Sequence, residues 1–187
     1  MEHIDQVLEQ LFELLVTRTR LERETLRHIY LAQFGEKIIP SCFRHFSSKN
    51  AEVRRDVLAF ICRYARKRPD VVDFAMAALK DRSKVVRRSA CAILAYSLDE
   101  RCLGVLTTLV ASSGEPTASD ARNAMNAIQR KNHNLYYPDY DAWLVTQDDP
   151  EEPKDESVDY YIRKCNPGLA EPLTRILGSL YGKYSRG

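Results

Sequence analysis

The amino-acid sequence predicts an all-α fold made of repeated helix pairs. Three observations predict it. An apolar stripe with helical spacing recurs through the middle of the chain at a near-constant offset. A second stripe of the same kind lies between the copies. Glycine is scarce, 7 in 187 residues, and no strand-like alternation or hairpin turn interrupts the helical period.

Taken in order, Ile4 to Val16 sets Val7, Leu8, Leu11, Leu14 and Leu15 on one helical face. Leu21 to Phe34 reads as a second helix, and Lys37 to Phe46 as a shorter one containing Pro40. Their register against the later helices is loose, so residues 1–50 read as irregular capping helices. From residue 51 the repeat is explicit. The segment from Ala51 to Ile61 aligns with Lys84 to Leu94 at an offset of 33 residues. Val53, Val57, Phe60 and Ile61 in one, and Val86, Ala90, Ile93 and Leu94 in the other, fall at i, i+4, i+7 and i+8. A third copy at offset 35 holds Ala121-Arg122-Asn123, Met125 and Ile128.

The second helices run from Asp70 to Leu79 and from Asp99 to Val110. Val71, Val72, Phe74, Ala75, Ala78 and Leu79 in the first recur 31 residues later as Cys102, Leu103, Val105, Leu106, Leu109 and Val110. Asp70 and Asp99 suit an N-cap or first turn. Pro69 and Gly114-Glu115-Pro116 break the chain between helices. Residues 51–131 are therefore helix–turn–helix units of 31 to 35 residues. One such pair cannot bury its stripe alone, so neighbours must stack. Residues 132–156 read as a long acidic, aromatic-rich loop. Residues 157–187 read as C-terminal capping helices, with a short helix over Ser157–Cys165 and a stripe at Leu169, Leu173, Ile176, Leu177 and Leu180. At this length one domain over 1–187 is expected.

The repeats resemble the HEAT family of α-solenoids, in which the first helix of each pair opens on Val-Arg after a Leu-x-Asp. Leu79-Lys80-Asp81 followed by Val86-Arg87 matches this best. Val53-Arg54 matches with Ser48 in place of the aspartate, and Ala121-Arg122 with no matching aspartate. The resemblance implies a right-handed α-α superhelix. It implies that Arg54, Arg87 and Arg122 bond carbonyls and acids between repeats. It also places the second helices on the concave face, with Asp73 and Arg101 on the inner surface. Some HEAT-like solenoids are DNA glycosylases with a basic concave groove. Here Trp143 lies outside the repeats and the second helices carry few cations, so the resemblance does not extend to that activity.

The net charge of +2 conceals a segregated layout. Between Arg54 and Arg88 eleven Lys/Arg face four Asp/Glu, a net +7, while Asp139 to Asp159 carries nine Asp/Glu and one Lys, a net −8. The acidic segment is expected to bind protein, or to fold over the basic surface of its own chain. Aromatic and acidic groups interleave there as interface anchors do, at Tyr136, Tyr137, Tyr140, Trp143, Asp148, Asp149, Glu151 and Glu152. With Asp73 and Arg101 these are the candidate partner-binding residues. The basic block offers Arg55, Arg63, Arg66, Lys67, Lys84 and Arg88 as candidate phosphate contacts.

No P-loop, Gly-x-Gly-x-x-Gly, His-Glu-x-x-His or Gly-x-Ser-x-Gly occurs, the four histidines are dispersed, and Cys42-x-x-His45 stands alone. No catalytic residue, metal ligand or cofactor is assigned. The leading expectation is a non-catalytic protein-binding module: an adaptor, scaffold or regulator, with an immunity-type, toxin-neutralising protein as one form. Nucleic-acid binding through the basic surface is the alternative, and an enzyme or enzyme subunit a further one. No 18-residue apolar run is present, the first residues lack the pattern of a signal peptide, and five scattered cysteines fit a reduced compartment. A cytoplasmic location away from membranes is expected.

Overall fold

The structure is a computed structural model that describes residues 2–19, 22, 23, 26, 31–136, 171–173, 175 and 176. It is helical, and no β-strand occurs among the described residues. No helix among them is long and apolar enough to cross a membrane. The chain divides into two compact units, Met1–Ser41 with Asp149–Gly187, and Cys42–Asp148.

In the first unit, helix α1 spans Glu2–Val16 and buries Val7, Leu8, Leu11, Phe12 and Leu15. Phe12 takes the inward place expected of Leu14, which lies half-exposed. A reciprocal capping box comes next: Thr19 N–H and Oγ1–H donate to Glu22 Oε2 at 2.9 and 2.7 Å, and Glu22 N–H returns to Thr19 Oγ1 at 3.4 Å. These donors hold the Glu22 carboxyl below its usual range. The helix expected to reach Phe34 is not continuous there. Leu31–Ile38 is wound as 3₁₀ and broken at Gly35, whose φ of 54° and ψ of −138° no helix admits. Leu173 and Ile176, two positions of the expected C-terminal stripe, are buried. Residues 172, 175 and 176 share with α1 a cleft of about 550 Å³.

Helix α2, Ile39–His45, crosses into the second unit and carries Pro40 in its first turn, where a missing N–H leaves no bond unmade. Helix α3, Ala51–Ile61, starts on Asn50, whose side chain accepts from Glu52 N–H at 2.9 Å. Pro69 then opens α4, Pro69–Ala78, from its first helical position. Helix α5, Lys84–Ser97, stops at Leu98 in the left-handed region, φ 57°. Asp99 caps the 3₁₀ turn Glu100–Cys102 that leads into α6, Leu103–Ser112. The expected helix from Asp99 is thus α-helical only from Leu103.

Helix α7, Thr117–Gln129, closes in a Schellman motif. Lys131 sits there at φ 51°, with Asn132 N–H on Ala127 O at 2.9 Å and Lys131 N–H on Ile128 O at 3.1 Å. A 3₁₀ turn, His133–Tyr136, comes after it.

Helix α5 packs on α3 and on α7, α4 packs on α5, and α6 packs on α7. The facing stripes are the expected ones in the first two copies, with Val53, Val57, Phe60 and Ile61, then Val86, Ala90, Ile93 and Leu94, all at most 2% exposed. In the third copy the stripe runs through Ala121, Ala124, Ala127 and Ile128, with Met125 half-exposed at its rim. Fully burying one Val, Leu or Ile side chain is worth roughly 1.5–3 kcal/mol, so these stripes dominate the unit's stability.

Arginines tie the turns together. Arg54, 5% exposed, donates Nε to Asp81 Oδ2 and Nη2 to Asp81 Oδ1, both at 2.8 Å. Its Nη1 donates to Ser48 O at 2.6 Å and Lys49 O at 3.2 Å. Arg87 repeats the pattern one unit on, giving Nη1 to Asp81 O at 2.8 Å and Nη2 to Thr117 Oγ1 at 3.1 Å. Arg122 turns instead to Glu115.

Candidate interaction surface

Helix α4 buries Val71, Val72, Ala75 and Ala78, which turns Asp73 outward and leaves Phe74 at the edge of the core. The Phe74 ring stacks on Phe43 of α2, with centroids 4.3 Å apart and planes 24° apart. It also meets Phe46 edge-on, at 4.9 Å and 71°. All three residues are half-buried. Offset-stacked and edge-to-face geometries are the favoured ones for aromatic pairs, so the cluster holds its own shape. One residue away from Phe74, Asp73 Oδ1 lies 3.4 Å from Arg101 Nη1, with side chains 57% and 55% exposed. Arg101 is fixed from behind by Asp99, which accepts its Nε at 2.9 Å and Nη2 at 2.7 Å. Those donations, with the backbone N–H of Arg101, hold the Asp99 carboxyl below its usual range. The result is a partly exposed aromatic centre flanked by an oriented ion pair.

The structure brings together Asp73 of α4 and Arg101 of the 3₁₀ turn ahead of α6, two residues that the sequence singles out separately. Sequence spacing does not mark Phe43 and Phe46 as site residues, and it assigns Phe74 to the core stripe. The available signal is the i, i+3 pair of phenylalanines at the end of α2 and one bulky ring in a stripe otherwise of Val, Ala and Leu.

Tyr136 is 3% exposed and donates its hydroxyl to Arg88 O at 2.8 Å, so it anchors the 3₁₀ turn His133–Tyr136 onto α5. Arg66 lies 4.6 Å over the Tyr96 ring, donates Nε to Tyr96 O at 3.0 Å and donates Nη2 to His133 Nδ1 at 2.8 Å. A guanidinium has no acceptor, so His133 accepts there and carries its proton on the buried Nε2. Burial, then the Arg66 charge, push the His133 pKa below its usual value. Tyr137, Tyr140, Trp143, Asp148, Asp149, Glu151 and Glu152 lie outside the described residues, as does all of Asp139–Asp159.

The candidate phosphate contacts divide. Arg55 is paired with Glu52 and Asp56, both at 2.6 Å, and Arg63 lies over the Phe60 ring at 5.7 Å. Arg66 is held by Tyr96 and His133. Arg88 stands 3.8 Å from Asp120. Lys67 and Lys84 are exposed. Outside the expected set, Arg68 is paired with Asp70 at 2.7 Å, while Lys80 and Arg82 are exposed.

The four described cysteines, Cys42, Cys62, Cys91 and Cys102, are free thiols that burial pushes upward, to about 12 at Cys62 and Cys91 and about 11 at Cys102. A thiol so shifted is a poor nucleophile at neutral pH. No group of three metal-ligating side chains converges among the described residues. Comparison with protein-family models, with curated proteins and with solved structures gives no match to this chain.

Proposed function

We propose that the chain is a HEAT-like α-solenoid that acts as a non-catalytic protein-binding module, an adaptor or regulator docking its partner over Phe43, Phe46 and Phe74. The solenoid reading is supported by the 33-residue recurrence, by the packing of α5 on both α3 and α7, and by the matched roles of Arg54 and Arg87. The observation that carries the binding reading is the half-buried phenylalanine cluster beside the exposed Asp73–Arg101 pair. A packed aromatic centre with a polar flank is the composition of a protein interface. The rings are already ordered against each other, so docking immobilises little. The cytoplasm is the compartment this reading assigns, in line with the free thiols.

The test compares wild type with a Phe43→Gln/Phe74→Gln variant in affinity capture from nuclease-treated native lysate. Thermal unfolding controls for folding. Aromatic anchors at interface centres are worth at least about 2 kcal/mol, roughly thirtyfold in affinity. A defined protein partner retained by wild type and lost by the variant supports the reading. A partner held equally by both, or capture that disappears on nuclease treatment, overturns it.

A further inference from the structure

The basic block between Arg54 and Arg88 is not absorbed by that surface. Most of its arginines are engaged by carboxylates, carbonyls or rings. Four cations of the block are left exposed with no ion-pair partner among the described residues, and three of them lie close in sequence, Lys80 and Arg82 on the turn between α4 and α5 and Lys84 at the first position of α5. The turn before α3 adds exposed Lys49 beside them. The two turns are held side by side by Arg54, which reaches Ser48 O and Lys49 O on one and the Asp81 carboxylate on the other. Arg82 Nη2 closes on Lys49 O at 3.5 Å. Asp81, the acid in the middle of the patch, is neutralised by Arg54 and also accepts Ser83 N–H at 2.7 Å. Four positive charges therefore share one edge of the unit with their nearest carboxylate already occupied.

We propose that this edge binds the phosphate backbone of double-stranded nucleic acid without reading its sequence. The chemistry of the two turns favours phosphate over an acidic protein. Apart from the neutralised Asp81, the side chains interleaved with the cations are Ser48, Asn50 and Ser83. Phe46, on the same turn as Lys49, is half-buried with its ring against Phe74, and the fully exposed side chains of the two turns include no aromatic or aliphatic residue to form the core of a protein interface. Lys, Arg, Ser and Asn are the side chains that contact phosphate oxygens and fix register without sequence information. Lysine is a compact point charge on a flexible stem, suited to a backbone that passes at varying height.

The test is fluorescence anisotropy of the full chain with a labelled DNA duplex across a salt series. Four phosphate contacts give a slope of log affinity against log salt of about −3.6, a loss of roughly a hundredfold between 50 and 200 mM salt. The Lys49→Glu/Lys80→Glu/Lys84→Glu variant changes only exposed side chains and abolishes binding. Lys67→Glu, an exposed cation at the opposite end of α3 and α4, leaves affinity within about twofold. The Phe43→Gln/Phe74→Gln variant binds duplex like wild type, which separates this proposal from the protein-docking one. A flat salt response, no binding at low salt, an equal loss with Lys67→Glu, or displacement by polyglutamate as readily as by unlabelled duplex overturns the proposal.

Discussion

Replacing Arg54 with Met removes one guanidinium that serves three acceptors: the Asp81 carboxylate, Ser48 O and Lys49 O. The Arg54 and Asp81 side chains are 6% and 9% exposed, so water does not make good the loss. Breaking a buried pair costs about 3–5 kcal/mol, because the surviving charge stays buried. Asp81 keeps the Ser83 N–H at 2.7 Å, which places the cost near the low end, roughly 3 kcal/mol. For a chain of 187 residues that is about 6–12 °C in Tm. Urea and thermal unfolding followed by circular dichroism measure it.

The double variant Arg54→Met/Asp81→Asn removes the stranded charge while keeping an oxygen for Ser83, and should recover much of the loss. Arg54 also holds the Asp81 carboxyl below its usual range. The wild-type pair therefore contributes fully above the ordinary carboxylate pKa of about 4, and its contribution fades as pH falls from there toward the lower folded value. That acid-side loss should shrink in Arg54→Met, where only Ser83 N–H and Arg82 still favour the ionised carboxylate. A cost under about 1 kcal/mol, or a double variant no more stable than the single, would refute the reasoning.

Three further outcomes are expected. Stability is insensitive to His133 above about pH 6.5 and falls as pH drops below it, since the unfolded chain takes up the proton first; Arg66→Met moves the His133 titration seen by NMR part of the way up toward 6.5, and an unmoved titration counts against the Arg66 contact. Tyr136→Phe removes the hydroxyl from Arg88 O and costs about 1 kcal/mol by urea unfolding, whereas no change would mean that only the ring anchors the turn His133–Tyr136. Cys91, fully buried and pushed up to about 12, escapes alkylation at mildly alkaline pH until the chain is denatured; prompt labelling mapped to Cys91 in the native protein would contradict its burial.

The repeat is legible in the sequence because its determinants are local. Stripes spaced for a helix, Pro69 at a helix start and Asp99 at a cap each act within a few residues. The break at Gly35 is not legible, because a glycine inside an apolar pattern does not announce a positive φ. Nor is the burial of Phe12 in place of Leu14, which turns the buried face of α1 toward the Leu8 side. The surface is half legible. Asp73 and Arg101 stand out as charges on apolar helices, but the meeting of Phe43, Phe46 and Phe74 joins α2 to α4 across the fold, and no spacing rule connects them. The basic block illustrates the reverse: composition shows its total, and only geometry separates arginines spent on internal acceptors from lysines left exposed.

Asp81 has a consequence for motion. Its carboxylate belongs to Arg54 of α3 and its carbonyl to Arg87 of α5, so one residue closes two helix pairs at once. An opening that frees the turn around Asp81 must release both arginines together. Amide protons of α3 and α5 should then exchange as a single cooperative block, with α7 drawn in through the Arg87 bond to Thr117. The arginine chain thus sets how far a local fluctuation can spread before it becomes unfolding of the whole unit.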